Sequence, residues 1–399
     1  KESNFFSVFN FGVTHESNLW DPWYRHFDLI PFPPRRDIGK WWEKFSEIEK
    51  PLYVSESIDI TVPPYLPKTK VVIKDMKRMY SNVVELDNKI GLILKQLEED
   101  NLLEKTVIVF YTDHGGPLPR EKRLLYDSGI KVPMIIRFPN SNRAGELDNR
   151  MISFVDFAPT LLSLSNIDIP NYHQGKAFEG YFKSKKERIY IHAAADRFDE
   201  HYDMIRAVRD SRYKYLKNFY PEKPYYLPLE YREKMGTMQQ LLMMEKNNEL
   251  DSIQSLWFRN GKAKEELFDT ELDPFELRNL ADNPKYSNKL KELRNECENW
   301  MQQIGDKGHI PEEKLIETFW PNRIQPKTEK PIVKMIKNNL VVTCETEGAN
   351  IGYKYLKRDL KPWIGWRPYT KPIYYSKGGD KIQFKAHRIG YLPSEKTIY

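Results

Sequence analysis

The sequence predicts an α/β protein with a doubly wound sheet, then a smaller α+β unit, and a β-like, turn-rich unit at the carboxy end. Three observations carry this. Residues 106–111, Thr-Val-Ile-Val-Phe-Tyr, are a continuous apolar run of the kind that parallel strands covered on both faces show. The segment before it, residues 79–100, places Leu86, Ile90, Ile93, Leu94 and Leu97 on one helical stripe. Beyond Pro311, Pro321, Pro326 and Pro331 the texture turns β-like and rich in turns as far as Tyr399.

Taken in order, residues 5–13 read as a buried Phe- and Val-rich strand that delivers Thr14 and His15 at its carboxyl end. A loop rich in Pro and Trp follows, then the helix at 79–100 and the strand at 106–111, which ends in Thr112-Asp113-His114-Gly115-Gly116. Another strand is expected at 132–138 and a helix at 154–167. Helix-then-strand alternation favours a doubly wound sheet, in which ligands sit outside the carboxyl ends of the strands. His15 and Asp113 both lie at such ends.

The second unit should contain short β segments at 188–192 and 204–219, a helix-prone stretch at 231–250 and a last helix at 284–304. That helix aligns Leu290, Leu293, Cys297, Trp300, Met301 and Ile304, which makes Cys297 a core residue. Cys344 alternates with Leu340 and Val342, so burial is expected there too. The implied division is 1–175, 176–310, a linker at 311–329, and 330–399.

Composition narrows the function. The chain of 399 residues has 63 basic and 57 acidic side chains, a net charge of +6 and no long run of one sign. Nucleic acid is therefore not indicated, and the mild basic bias suits anionic substrates. No stretch approaches the roughly 20 apolar residues of a membrane span. Two cysteines are too few to report a redox compartment, and the sequence is silent on oligomeric state.

Asp113-His114 after an apolar strand is the sharpest local signal, since a carboxylate and an imidazole at a strand mouth can hold a cation. Alone it is weak. Its context, residues 109–139 (VFYTDHGGPLPREKRLLYDSGIKVPMIIRFP), resembles a conserved block of the sulfatase family within the alkaline-phosphatase superfamily. Pro63-Pro64-Tyr65-Leu66-Pro67, Phe154-Val155-Asp156-Phe157-Ala158-Pro159-Thr160-Leu161, and Glu266-Leu267-Phe268-Asp269 through Asp273-Pro274-Phe275-Glu276-Leu277 resemble further blocks in family order.

The resemblance implies an alkaline-phosphatase-like sheet, present in part, and a hydrolase of sulfate esters. It implies that Asp113 and His114 bind a divalent ion, usually calcium, although imidazole suits softer ions better. It makes Lys122 the cation that neutralises sulfate oxygens and His15 the contact to the sulfate and leaving oxygen, placed for general-acid help. Family members use a formylglycine made from Cys or Ser in Cys/Ser-x-Pro/Ala-x-Arg as nucleophile. No Cys or Ser here stands in that motif, so no nucleophile is assigned, and an amino-terminal truncation is expected, which would leave this piece inactive by itself. Asp196 and Arg197 could reach substrate hydroxyls or form an exposed charged hairpin.

Residues 330–399 resemble the small β-sandwich of chitobiase and hexosaminidase proteins. Trp363 and Trp366 there could stack on sugar, with burial the more ordinary role. The resemblance implies a periplasmic or secreted enzyme acting on sulfated carbohydrate. The alternatives are a phosphodiesterase or phosphonate hydrolase of the same superfamily, and a carbohydrate-binding protein without catalysis.

Overall fold

The computed structural model describes residues 4–20, 52–356, 365–376 and 378–399, and the chain divides into one unit at 1–306 and another at 307–399. The expected division at 175 and 176 falls inside the first unit. The core of the first unit joins Leu19 and Leu118 to Phe198, Leu216 and Phe268, so both expected subdomains share it.

Helix α1, Lys70–Glu99, begins at Lys70 rather than Met79 because Val72, Ile73 and Met76 continue its stripe, and because Thr69 Oγ1 accepts the Val72 amide at 3.3 Å. Strands β1 (Ile108–Tyr111) and β2 (Met134–Arg137) pair antiparallel, Ile108 opposite Arg137, with the one-turn α2 (Asp127–Ile130) in the loop between them. Helix α3, Phe157–Leu164, follows a turn at Phe154–Asp156, where Ser153 and Asp156 form a capping box.

Next come β3 (Ile191–Phe198), β4 (His201–Arg209), β5 (Tyr213–Asn218) and β6 (Glu265–Asp269), a four-stranded antiparallel sheet. The stretch expected as one helix at 231–250 is two, α4 (Glu230–Glu233) and α5 (Gly236–Lys246). Met235 between them is extended, with ψ of 134°. Asp75 of α1 accepts the amide and hydroxyl of Thr237, both at 2.7 Å, which ties α5 to α1.

The four-stranded sheet has a core on each face, as side chains alternating with period two allow. Val208, Tyr215 and Leu267 pack on Leu290, Leu293 and Cys297 of α6, Ser287–Ile304. Each of these fully buried aliphatic side chains contributes roughly 1.5–3 kcal/mol. Burial pushes the Cys297 thiol up to about 12, in keeping with its expected place in the core. Ile205, Ala207, Leu216 and Phe268 face the other way, onto Leu118, Leu124, Leu125 and Tyr126 of the β1–β2 loop. The loop that carries the candidate site thus lies on a sheet face.

One expectation fails here. Residues 5–13 are not a strand: Phe5, Phe6, Val8 and Phe9 are exposed, because no described segment runs beside them to satisfy their backbone. The only ladder β1 makes among the described residues is antiparallel, with β2.

In the second unit, α7 (Glu312–Phe319) occupies the expected linker. Strands β7 (Ile332–Ile336), β8 (Asn339–Thr343), β9 (Asn350–Tyr355), β10 (Arg367–Pro368), β11 (Ile373–Tyr374), β12 (Ile382–His387) and β13 (Thr397–Ile398) form two antiparallel sheets, ordered β11-β8-β7 and β10-β9-β12-β13. Leu340 and Val342 of the first share a core with Ile382 and Phe384 of the second. Cys344 lies just past β8 and is half-buried rather than buried, its thiol 3.3 Å from the Glu329 carbonyl. Trp363 lies outside the described residues.

Candidate active site

The β1–β2 loop is pinned at its neck. The Gly115 amide donates to Gly129 O at 2.8 Å, Gly116 to Ser128 O at 3.2 Å, and Lys122 to Gly116 O at 3.1 Å. Any Cβ at Gly115 would overlap the Ser128 backbone carbonyl, so this position requires glycine for close approach, while one at Gly116 would displace the Glu121 carboxylate. Closure brings Lys122 back toward His114 across the neck.

Around Lys122 the backbone is bent sharply, with Arg120 and Arg123 at φ of 68° and 77°. Such angles are uncommon outside glycine and need compensation. Arg120 donates to Phe275 O and Glu276 O, each at 2.9 Å, and sits 4.2 Å above the Tyr126 ring. Arg123 forms a two-pronged pair with Glu16, at 3.0 and 2.9 Å, and reaches Asp199 at 3.2 Å. Beneath the loop, fully buried Lys214 lies 2.5 Å from Asp127 and 3.0 Å from Glu276, and donates to Leu125 O at 3.0 Å. Burial alone would raise the Asp127 carboxyl; Lys214 and Arg209 outweigh it and hold it below the usual range.

His15 joins Lys122. It heads the short turn Glu16–Leu19, and its Nε2 accepts from Lys122 Nζ at 3.3 Å, since an ammonium can only donate. Ser17 Oγ lies 2.9 Å from the other ring nitrogen. Burial first, then the Lys122 charge, lowers the His15 pKa; Glu16 opposes them, and the charges of His114 and Asp113 also reach this ring. Lys122 further pairs with Glu16 at 3.0 Å. Burial works to raise the Glu16 carboxyl, but Arg123 and Lys122 together bring it below its ordinary value.

At the other side of the neck, His114 Nδ1 lies 2.8 Å from Gly115 O, an acceptor only, so this nitrogen carries the hydrogen. Neutral His114 therefore presents a lone pair at Nε2, 3.7 Å from Asp113 Oδ1. Two lone-pair donors facing each other, with the Asp113 side chain 88% exposed, suit a shared cation. Among the described residues no set of three or more His, Cys, Asp or Glu converges on one point.

His15, Lys122, Asp113 and His114 are thus brought into one neighbourhood. Asp196 and Arg197 stand on β3, where Asp196 pairs with Arg206 at 2.8 Å and Arg197 approaches Glu200 O at 3.5 Å. It is Asp199 at the hairpin tip that touches the loop, through Arg123. Glu16 and Arg123 escaped the sequence reading, although they sit next to His15 and Lys122; Asp199 belongs to the hairpin singled out through Asp196 and Arg197. Tyr231, whose ring lies 6.2 Å from His15 and 4.2 Å from Trp20, gives the site an aromatic wall; nothing in its sequence surroundings marks it.

Fold and site define an α/β protein whose glycine-necked loop gathers a lysine, two imidazoles and a carboxylate, as an anionic-ester hydrolase needs. Residues 3–167 match the sulfatase family, and residues 120–253 match the family described as N-sulphoglucosamine sulphohydrolase, C-terminal. An ulvan-active sulfatase of Formosa agariphila is 48% identical over 98% of this chain and 67% of its own length. Human N-sulphoglucosamine sulphohydrolase is 23% identical over 68% of this chain and 56% of its own. A solved structure in complex with D-glucosamine-2-N,6-O-disulfate overlaps 61% of this chain and 45% of its own at TM-score 0.44 and 21% identity. The chain belongs to the sulfatase family, a family of sulfuric ester hydrolases that work with a divalent metal and a formylglycine. It spans about two-thirds of the Formosa relative and just over half of the human one.

Proposed function

We propose that the whole protein hydrolyses sulfate esters of a sulfated carbohydrate, with Lys122 and His15 acting on the sulfate group. The observation that carries this is the Lys122–His15 contact of 3.3 Å beside the Asp113–His114 pair. Lys122 holds a fixed positive charge against the sulfate oxygens, where negative charge grows as the S–O bond breaks. Once His15 Nε2 is protonated and Lys122 Nζ has turned to the sulfate oxygens, that nitrogen gives its proton to the leaving oxygen and returns to the lone-pair form that accepts from Lys122. Glu16 and Arg123 fix the direction of the ammonium. A divalent cation held by Asp113 and His114, calcium or a softer ion, would polarise the sulfate and lower the pKa of the nucleophile. The nucleophile, a formylglycine, is not one of this chain's residues.

Tyr231 and Trp20 offer apolar ring faces beside His15, a surface suited to a sugar. The hairpin bearing Asp196 and Arg197 would border it. Exposed Tyr111, Ile135 and Phe154 around a two-stranded ladder support a wider doubly wound sheet in the whole protein. The two facing sheets of the second unit support an accessory β-sandwich there. A periplasmic or secreted location follows from the polysaccharide substrate; no described helix is long and apolar enough to cross a membrane.

Sulfate release by the whole protein from a sulfated polysaccharide should exceed phosphate release from a phosphate diester or phosphonate ester by at least about tenfold in kcat/KM. Equal or reversed preference would favour the phosphodiesterase reading.

A further inference from the structure

In the second unit, the outer side of the β10-β9-β12-β13 sheet carries a groove of about 340 Å³ lined by Asn350, Gly352, Trp366, Pro368, Lys385 and His387. Strand alternation sets its chemistry. Tyr353, Phe384 and Ala386 turn inward to the core region, so Gly352 of β9, and Lys385 and His387 of β12, lie on the other face; Lys354 shares that face and is buried in it. Lys385 pairs across the strands with Gly352, and His387 with Asn350. Trp366 lies over Gly352: a Cβ there would sit 3.3 Å from the indole Cε3, so glycine leaves the ring room to lie along the strand. Lys354 Nζ is 5.7 Å from the same ring. No carboxylate lines the groove, and among the described residues Lys385 has no acidic partner.

A partly exposed indole laid on a sheet, with Lys385 and Arg367 in the same lining and amide and imidazole groups at its end, combines an apolar platform with positive charge. Sulfated sugars carry the matching features: a ring face of C–H groups and fixed anions at its edge. A peptide or a neutral lipid would use the ring and leave Lys385 unanswered. We propose that this groove is a non-catalytic binding site for a sulfated carbohydrate chain, one sugar ring against Trp366 and its sulfate against Lys385. The class of ligand rests on the proposed sulfatase function; the groove is a separate site in the other unit.

The test is a titration of the full chain carrying Lys122→Ala, so that turnover is suppressed and every protein compared shares the same first-unit site, with dextran sulfate oligosaccharides, unsulfated dextran and polyglutamate. Adding Trp366→Ala should weaken dextran sulfate binding about tenfold, as loss of a central tryptophan does at other interfaces. Lys385→Ala should weaken it about threefold and reduce its salt dependence, while Trp366→Phe, which keeps a ring, retains most of the affinity. Near-ultraviolet circular dichroism of each variant establishes that the second unit is folded. Unchanged binding in folded Trp366→Ala and Lys385→Ala would overturn the proposal. So would polyglutamate or unsulfated dextran binding as tightly as dextran sulfate. Because binding is read without turnover, failure of the sulfatase reading would show as absent sulfate release with this titration unaffected.

Discussion

Glu276→Ala should destabilise the first unit by about 3 kcal/mol, the low end of the range for breaking a buried ion pair. Glu276 is almost wholly buried and takes the Asp127 amide at 2.5 Å and Lys214 Nζ at 3.0 Å. Its removal strips a buried ammonium of one of two carboxylates and leaves a buried amide without an acceptor. Asp127 remains beside Lys214 at 2.5 Å, which is why the loss should not reach the upper end. Urea denaturation measures it. A shift in midpoint equivalent to under about 0.5 kcal/mol would show that the loop does not depend on this tie. Residues 273–278 owe their form to the same region: Asp273 Oδ2 accepts the amides of Leu277 and Arg278 at 2.7 and 2.8 Å and presents the Phe275 and Glu276 carbonyls to Arg120.

The larger effect on catalysis is expected from Lys122→Ala in the whole protein, a fall of about 10²–10³ in kcat. Loss of a fixed charge aimed at the transition state should appear chiefly in kcat, with KM changing less. Single-turnover sulfate release reads it directly. A change of threefold or less would remove Lys122 from the chemistry. Lys122→Arg should recover only part of the rate, because a planar guanidinium cannot occupy both the Glu16 and the His15 contacts of a compact ammonium.

What could be read from the sequence follows local physics. The strand at 108–111, the helix bearing Leu290, Leu293 and Cys297, and the glycines after Asp113 each declare themselves within a few residues, since periodicity and turn chemistry are local. The resemblance to sulfatases then pointed to His15 and Lys122, which are 107 positions apart and meet at 3.3 Å. Residues 5–13 misled because apolar composition signals burial but cannot supply a neighbouring strand. The ion pairs Arg123–Asp199 and Lys214–Glu276 were invisible for a different reason. Each joins charged residues that look like solvated surface until the sheet brings them under the loop. For Trp366 the sequence left sugar stacking and burial both open; the ring is half-buried and lies in the groove, where Gly352 leaves room for it.

Convergence of the imidazole at position 15 with the lysine is tested most directly by following the His15 ring by NMR through a pH titration, without added metal, in the wild-type chain and in Lys122→Met. Burial and the Lys122 charge lower its pKa, while Glu16 pulls the other way. Removing that charge and freeing Glu16 should therefore move the His15 titration to higher pH. An identical midpoint in both proteins would mean that the two groups do not meet, and the proposed sulfate pocket would have no basis.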